Sequence, residues 1–288
     1  MPEKAAKRGE MNDKVPIGIC QIRQGYDFLD NVERAVAMVE HAASLGARIV
    51  ALPEMFLTPY EPAAILKAAR HSASALDRLV RAASGAGIWI VAGSMPWPSP
   101  EERLFNRSFV IGPDGQVVHR HDKIHLFDCT PPGGPAVRES QTIVPGSTLG
   151  DFATPWGTAS VVVCYDIRFS PLAQLLSARD VRFLFVPAAF SLATGRAHWE
   201  MLVRIRAMEL QAFVIGVQPA RNDNLAYVPW GHSLVASPWG EVLYDAGPDE
   251  TVALVQADSA QIDRIRVQFP LRAHHRNDLY ATLWKGET

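Results

Sequence analysis

The chain predicts an α/β domain in which two stacked sheets are covered by helices, and three observations carry that reading. Apolar runs of strand length alternate with amphipathic helical stretches from end to end of the 288 residues, the pattern of helices packed on sheet. Hairpin signals interrupt the alternation, above all Gly112-Pro113-Asp114-Gly115, so antiparallel pairs stand beside crossovers. No break in composition divides the chain, and its length suits one large core.

A first strand is read over 17–22. Leu29, Val32, Val36 and Val39 follow at helical spacing and predict a helix over 29–45 that Gly46 stops. A buried-type strand over 48–52 ends at Pro53-Glu54. A helix over 76–83, closed by Gly85, leads to a strand over 88–92, and strands over 105–111 and 116–121 flank the Gly-Pro-Asp-Gly turn. Thr130-Pro131-Pro132-Gly133-Gly134-Pro135 excludes regular structure and reads as a functional loop. The second half predicts strands over 161–163, 183–186, 213–217, 233–236, 242–244 and 251–256, with helices over 171–178, 197–210 and 260–267. Residues 1–14 read as a polar tail and 15–288 as one domain, with an irregular tail rich in Arg and His from about residue 270.

A net charge of -2 without a basic block excludes nucleic acid as a partner. No apolar run approaches the roughly 18 residues that span a bilayer, and the charged segment 1–10 lacks the apolar stretch of a signal peptide. Three cysteines point to a reducing compartment, read as the cytoplasm, and not to a disulfide framework. His119, His121 and His125 raise the idea of a metal site. No Cys or carboxylate recurs beside them at ligand spacing, so no metal is predicted, and His125 is assigned a supporting hydrogen bond.

Ala159-Ser160-Val161-Val162-Val163-Cys164-Tyr165-Asp166-Ile167-Arg168 runs from an apolar strand into a polar turn, which predicts a thiol presented and not buried. A lone Cys is most often a small core hydrophobe. Here Ser170-Pro171 opens a helix just beyond it, and a strand, a sharp turn and a helix start can hold a nucleophile beside free N–H groups. Its thiolate needs a base or a positive neighbour, since the free pKa is about 8.5. Glu54 and Lys123 also stand where apolar runs end, as active-site residues of α/β folds do. A buried Glu54 suits a proton acceptor and donor, and Lys123 suits an oxyanion clamp. Cys20 and Cys129 lack such a turn and read as packing thiols, while Phe190 and Trp199 read as pocket wall or core.

Leu52-Pro53-Glu54-Met55-Phe56, Asp122-Lys123-Ile124-His125-Leu126 and Val163-Cys164-Tyr165-Asp166-Ile167-Arg168-Phe169 resemble the three motifs of the nitrilase superfamily of carbon-nitrogen hydrolases. The likeness continues through Thr194-Gly195-Arg196-Ala197-His198-Trp199-Glu200, Pro219-Ala220-Arg221-Asn222 and Trp230-Gly231-His232-Ser233, and covers 15–280. It implies a four-layer α-β-β-α sandwich that forms a homodimer or higher homo-oligomer, and chemistry with no metal or organic cofactor. It also implies a second glutamate, Glu139, that orients the lysine and the substrate amide. From the residues alone Glu139 reads as an exposed loop charge. The implied roles are Cys164 as nucleophile, Glu54 as base and acid, and Lys123 with the Tyr165 N–H as oxyanion site.

Within the superfamily the motifs are most similar to omega-amidases, which release ammonia from the terminal amide of small 2-oxo dicarboxylate monoamides. Arg168, four residues past the thiol, could hold a substrate carboxylate by two hydrogen bonds; the alternative is a local pair with Asp166. The chain makes two departures from the pattern, Ser170-Pro171 for Pro-Glu and Arg196 for Pro. Arg196 either favours a more anionic substrate or faces solvent. The rival readings are an amidase for deaminated glutathione or N-carbamoyl amines, and a silent dimeric binding module. A papain-like Cys-His hydrolase is disfavoured because the base matched by the motifs is Glu54.

Overall fold

Strand and helix alternation along the chain resolves into two large sheets and a small two-stranded one, Asp128–Cys129 against Val137–Arg138, in a computed structural model that describes residues 13–100, 103–134 and 136–286. The first half runs β1 (Lys14–Gln21), α1 (Phe28–Ser44), β2 (Ile49–Ala51), α2 (Pro62–Ala68), α3 (Ser72–Ala86), β3 (Trp89–Val91), β4 (Met95–Pro98), β5 (Leu104–Ile111), β6 (Val117–Asp122), β7 (Asp128–Cys129) and β8 (Val137–Arg138). The second runs β9 (Phe152–Thr154), β10 (Gly157–Val161), α4 (Ser170–Ala178), β11 (Phe183–Pro187), α5 (Leu192–Leu210), β12 (Phe213–Val217), β13 (Leu234–Ala236), β14 (Val242–Asp245), β15 (Thr251–Asp258) and α6 (Ser259–Gln268).

One sheet has the order β15-β1-β2-β3-β5-β4, with β6 on β5; the other has the order β14-β13-β12-β11-β10-β9. At the heart of each lie three parallel strands, β1-β2-β3 and β10-β11-β12, whose crossovers carry the helices. Side-chain alternation then builds the layers. Ile17 and Ile19 of β1 meet Phe183, Phe185, Phe213 and Ile215 in the core between the sheets. Cys20, Val50 and Ile90 point outward onto Val32, Ala35 and Val39 of α1 and Leu79 of α3. On the far side Leu184, Val186 and Val214 meet Leu172 and Leu176 of α4 and Trp199 and Val203 of α5. The molecule is therefore an α-β-β-α sandwich, as the resemblance implied. Gly216 sets one of its spacings, because a Cβ there would lie 2.4 Å from the Trp199 ring.

The differences from the sequence reading have local causes. The third helix starts at Ser72 and continues through Gly85 to Gly87, which caps it in the left-handed region at φ +63. The helix expected over 197–210 begins at Leu192, because the Ser191 side chain caps its first turn. Leu29 lies exposed in the first turn of α1, whose buried stripe uses Val32, Ala35 and Val39. Helix α2 and strands β4 and β9 are too short to show a period. Of the expected polar tail, residues 1–12 lie outside the described residues, whereas Lys14 opens β1 opposite Asp258. Pro135 of the expected loop also lies outside them. No helix among the described residues is long and apolar enough to cross a membrane.

Candidate active site

Beyond β10 the chain bends sharply at Cys164, whose φ of 49 lies in the left-handed region that residues with a Cβ rarely occupy. Its side chain does not stand in solvent as the sequence suggested: Cys164 is 8% exposed, set behind the aromatic rings of Phe127, Tyr165, Phe190 and Tyr227. Burial pushes the thiol well above its ordinary pKa, and Glu54 adds to this against the pull of Lys123. Both effects favour the neutral form of the thiol.

Glu54 follows β2 on a segment held by Gln24, whose Nε2 donates to the Met55 carbonyl at 2.7 Å. Gly93 makes room for it, since a Cβ there would lie 2.0 Å from the Pro53 oxygen. Lys123 follows β6, with its N–H on the Asn106 carbonyl at 3.0 Å and its own carbonyl accepting from Gly146 at 2.8 Å. The Lys123 Nζ donates to Glu54 Oε1 at 2.9 Å, Glu139 Oε2 at 2.8 Å and the Tyr60 hydroxyl at 3.2 Å. Glu139 also accepts the Phe127 N–H at 2.7 Å. It is 4% exposed, so the loop charge that composition predicts is in fact a buried partner of the lysine.

Burial opposes the charge on Lys123, but Glu139 and Glu54 outweigh it and hold the ammonium well above the ordinary lysine range. Glu54 is raised, because burial and Glu139 together exceed the help it receives from Lys123. Its Oε2 has no hydrogen-bond partner. Glu54 and Cys164 each bias the other's protonation, so a carboxylate of raised proton affinity stands beside a thiol that must lose a proton.

Asp166 ties the lysine segment to the bend that carries the cysteine. Its carboxylate accepts from His121 Nε2 at 3.1 Å, His125 Nδ1 at 2.8 Å, the His125 N–H at 2.9 Å and the Val163 N–H at 3.1 Å. Arg168 is not among its hydrogen-bonding partners, so the local pair weighed from the sequence is absent. His125 does support the site, as expected, and His121 joins it; His119 instead stacks on Phe152.

Cys164, Tyr165 and Arg168 line one narrow cleft with Phe127, Ala189, Phe190, Thr194 and Tyr227. The Arg168 guanidinium lies over the Phe190 ring at 4.9 Å and touches His198 Nδ1 at 3.2 Å, while its Nε has no partner. Wider depressions between α1 and α3 and along α5 carry none of this cluster. Arg196 lines the α5 depression, exposed to solvent and apart from the cleft. Trp199 is core and supports Phe190, the ring that reaches the cleft. Asn106, Tyr60 and Tyr227 were not anticipated. The available signal for Asn106 was a polar side chain inside an apolar strand.

The model of the family described as carbon-nitrogen hydrolase matches residues 16–267. The chain belongs to that family. This carbon-nitrogen hydrolase is 42% identical to the omega-amidase NIT2 of Xenopus tropicalis over 253 residues, 88% of this chain and 91% of the relative. It is 40% identical to the omega-amidase NIT2 of Homo sapiens over 257 residues, 89% and 93% of the two chains. Among solved structures, Saccharomyces cerevisiae Nit3, a member of branch 10 of the nitrilase superfamily, matches with a TM-score of 0.82 at 30% identity, covering 90% of this chain and 95% of that one. The Caenorhabditis elegans NitFhit protein matches with a TM-score of 0.89 at 28% identity, covering 96% and 68%. The hydrolase is accordingly an amidase of the nitrilase superfamily, in its omega-amidase branch.

Proposed function

We propose that the enzyme hydrolyses the terminal amide of a small substrate that also carries a carboxylate, of the 2-oxoglutaramate or 2-oxosuccinamate kind, through a thioester on Cys164. The observation that carries this reading is a cleft lined by a buried thiol and a guanidinium with an unpartnered N–H, with a buried carboxylate of raised pKa acting on that thiol from outside the lining. Glu54 takes the thiol proton as sulfur attacks the amide carbon, and Lys123 with the Tyr165 N–H receives the negative oxygen. Glu54 returns the proton to the nitrogen, the carbon–nitrogen bond breaks and ammonia leaves. A water that gives its proton to Glu54 then attacks the thioester. The carboxylic acid departs and the thiol is restored, so amide and water are the only reactants consumed. Glu139 keeps Lys123 oriented, and Arg168 holds the distant carboxylate.

Ammonia release from a panel of amides, carbamoyl compounds and nitriles tests the assignment, with mass spectrometry of the acylated enzyme. The expected result is turnover of 2-oxo dicarboxylate monoamides and a thioester confined to Cys164. Glu54→Gln is expected to lower turnover by about 100-fold or more while remaining folded. Arg168→Ala is expected to raise KM for the carboxylate substrate roughly 10- to 100-fold and to leave a neutral amide unaffected. Turnover restricted to deaminated glutathione or N-carbamoyl amines would move the substrate class, and absence of any acylated species would leave a binding module. The same reading carries a homodimer in a reducing cytoplasm. Supporting it are three free cysteines and the exposed Met201, Met208 and Trp239 beside α5.

A further inference from the structure

Asn106 sits on β5 opposite Pro96, fully buried. A single nitrogen of its side chain, Nδ2, reaches both glutamates of the cluster, Glu54 Oε1 at 2.8 Å and Glu139 Oε1 at 3.2 Å. Glu54 Oε1 thereby receives two donors, Asn106 and the Lys123 ammonium at 2.9 Å. Glu54 Oε2 receives none. We propose that Asn106 is a positioning residue that commits one oxygen of Glu54 to fixed hydrogen bonds and leaves the other to accept the Cys164 proton. This rests on the reading of Glu54 as the base.

The opposite end of the amide strengthens the inference. Asn106 Oδ1 is buried with no hydrogen-bond partner, an unfavourable state for a carbonyl oxygen. A leucine of nearly the same shape would avoid that cost, so the donor is what the position supplies. Two donors on one oxygen also fix the plane of the carboxylate, which a single lysine bond would leave free to rotate.

A donor to a carboxylate favours its ionised form, so Asn106 lowers the proton affinity of Glu54 against the burial and the Glu139 charge that raise it. The other groups acting on Glu54 are Lys123 and Cys164, with Tyr60 and Tyr227 in the same pocket. Lys123 stays charged and both tyrosines stay neutral through the neutral range, because all three are raised well above their ordinary values. Removing the Asn106 donor raises the Glu54 pKa, and the acid limb of activity moves to higher pH.

The test compares kcat/KM against pH for the intact enzyme, Asn106→Leu and Asn106→Asp, with the rate of Cys164 alkylation by iodoacetamide followed over the same range. Asn106→Leu is expected to shift both acid limbs upward by roughly one pH unit. Its kcat at the optimum should fall about tenfold or more with KM for a neutral amide unchanged. Asn106→Asp, which keeps the shape and adds a third carboxylate, is expected to shift the limbs further and serves alone if the leucine chain does not fold. Acid limbs superimposable on those of the parent in a folded variant overturn the proposal. Full turnover by Glu54→Gln, by contrast, removes the base itself and is scored separately.

Discussion

At the scale of single residues, Asp166 holds the most concentrated set of bonds, with two histidine side chains and backbone N–H groups from two segments on one buried carboxylate. Burial pushes its pKa up, but the bonds from His121 and His125 outweigh that and hold it below the ordinary carboxylate range. A depressed folded pKa means stability that is whole above the unfolded value, about 3.9, and is lost as pH falls below it. Urea unfolding followed by tryptophan fluorescence should therefore show the parent losing stability from about pH 5 downward. Asp166→Asn should be less stable by about 3 kcal/mol at pH 7, with a flatter dependence in acid; equal stability at pH 7 would contradict the role given to this carboxylate. Residues of this kind divide by how far their partners lie along the chain. Glu54, Lys123 and Cys164 were legible because each ends an apolar run, a local property. Asn106 meets Glu54 across 52 positions and Lys123 meets Tyr60 across 63, so nothing near either residue announces the contact. Glu139 became legible only through resemblance, since a loop carboxylate is buried here by the lysine it pairs with.

At the scale of elements, helix α5 connects packing to chemistry. Trp199 lies on it, packs against Phe190 with ring centroids 4.9 Å apart and donates to the His232 carbonyl at 2.7 Å. Gly216 on β12 is the surface against which that ring rests. Gly216→Ala is expected to cost about 1–3 kcal/mol through overpacking and to lower activity by moving Phe190 at the cleft. A thermal melt paired with an activity assay at low temperature checks both effects, and an alanine chain with unchanged melting would count against so tight a spacing. The strands and helices were largely readable in sequence, because alternating and helical apolar patterns follow directly from the faces they bury. Their ends were less so. Gly85 continues a helix that Gly87 stops, and only the left-handed backbone at Gly87 distinguishes the two.

For the whole molecule, the residues of the candidate site are shared between two halves that each build a sheet. Glu54, Lys123, Glu139 and Asn106 come from the half with β1 to β8, and Cys164, Arg168 and Tyr227 from the half that begins with β9. Two stacked sheets were legible from the mixture of hairpins and crossovers, whereas their order was not, since strand pairing depends on contacts far apart in sequence. The last strand, β15, leaves the second half and pairs with β1 along eight successive residues, from Lys14 opposite Asp258 to Gln21 opposite Thr251. That pairing makes the end of the chain a clasp. Cut at the exposed Ser147, the enzyme should reassemble from two co-expressed fragments, one bringing the proton-handling groups and the other the sulfur. Ammonia release by the pair, silence from either fragment alone and loss on deleting β15 are the expected outcomes. The strand that closes the sheet would then serve as the switch of a split enzyme, turning the proximity of two fused partners into a chemical signal.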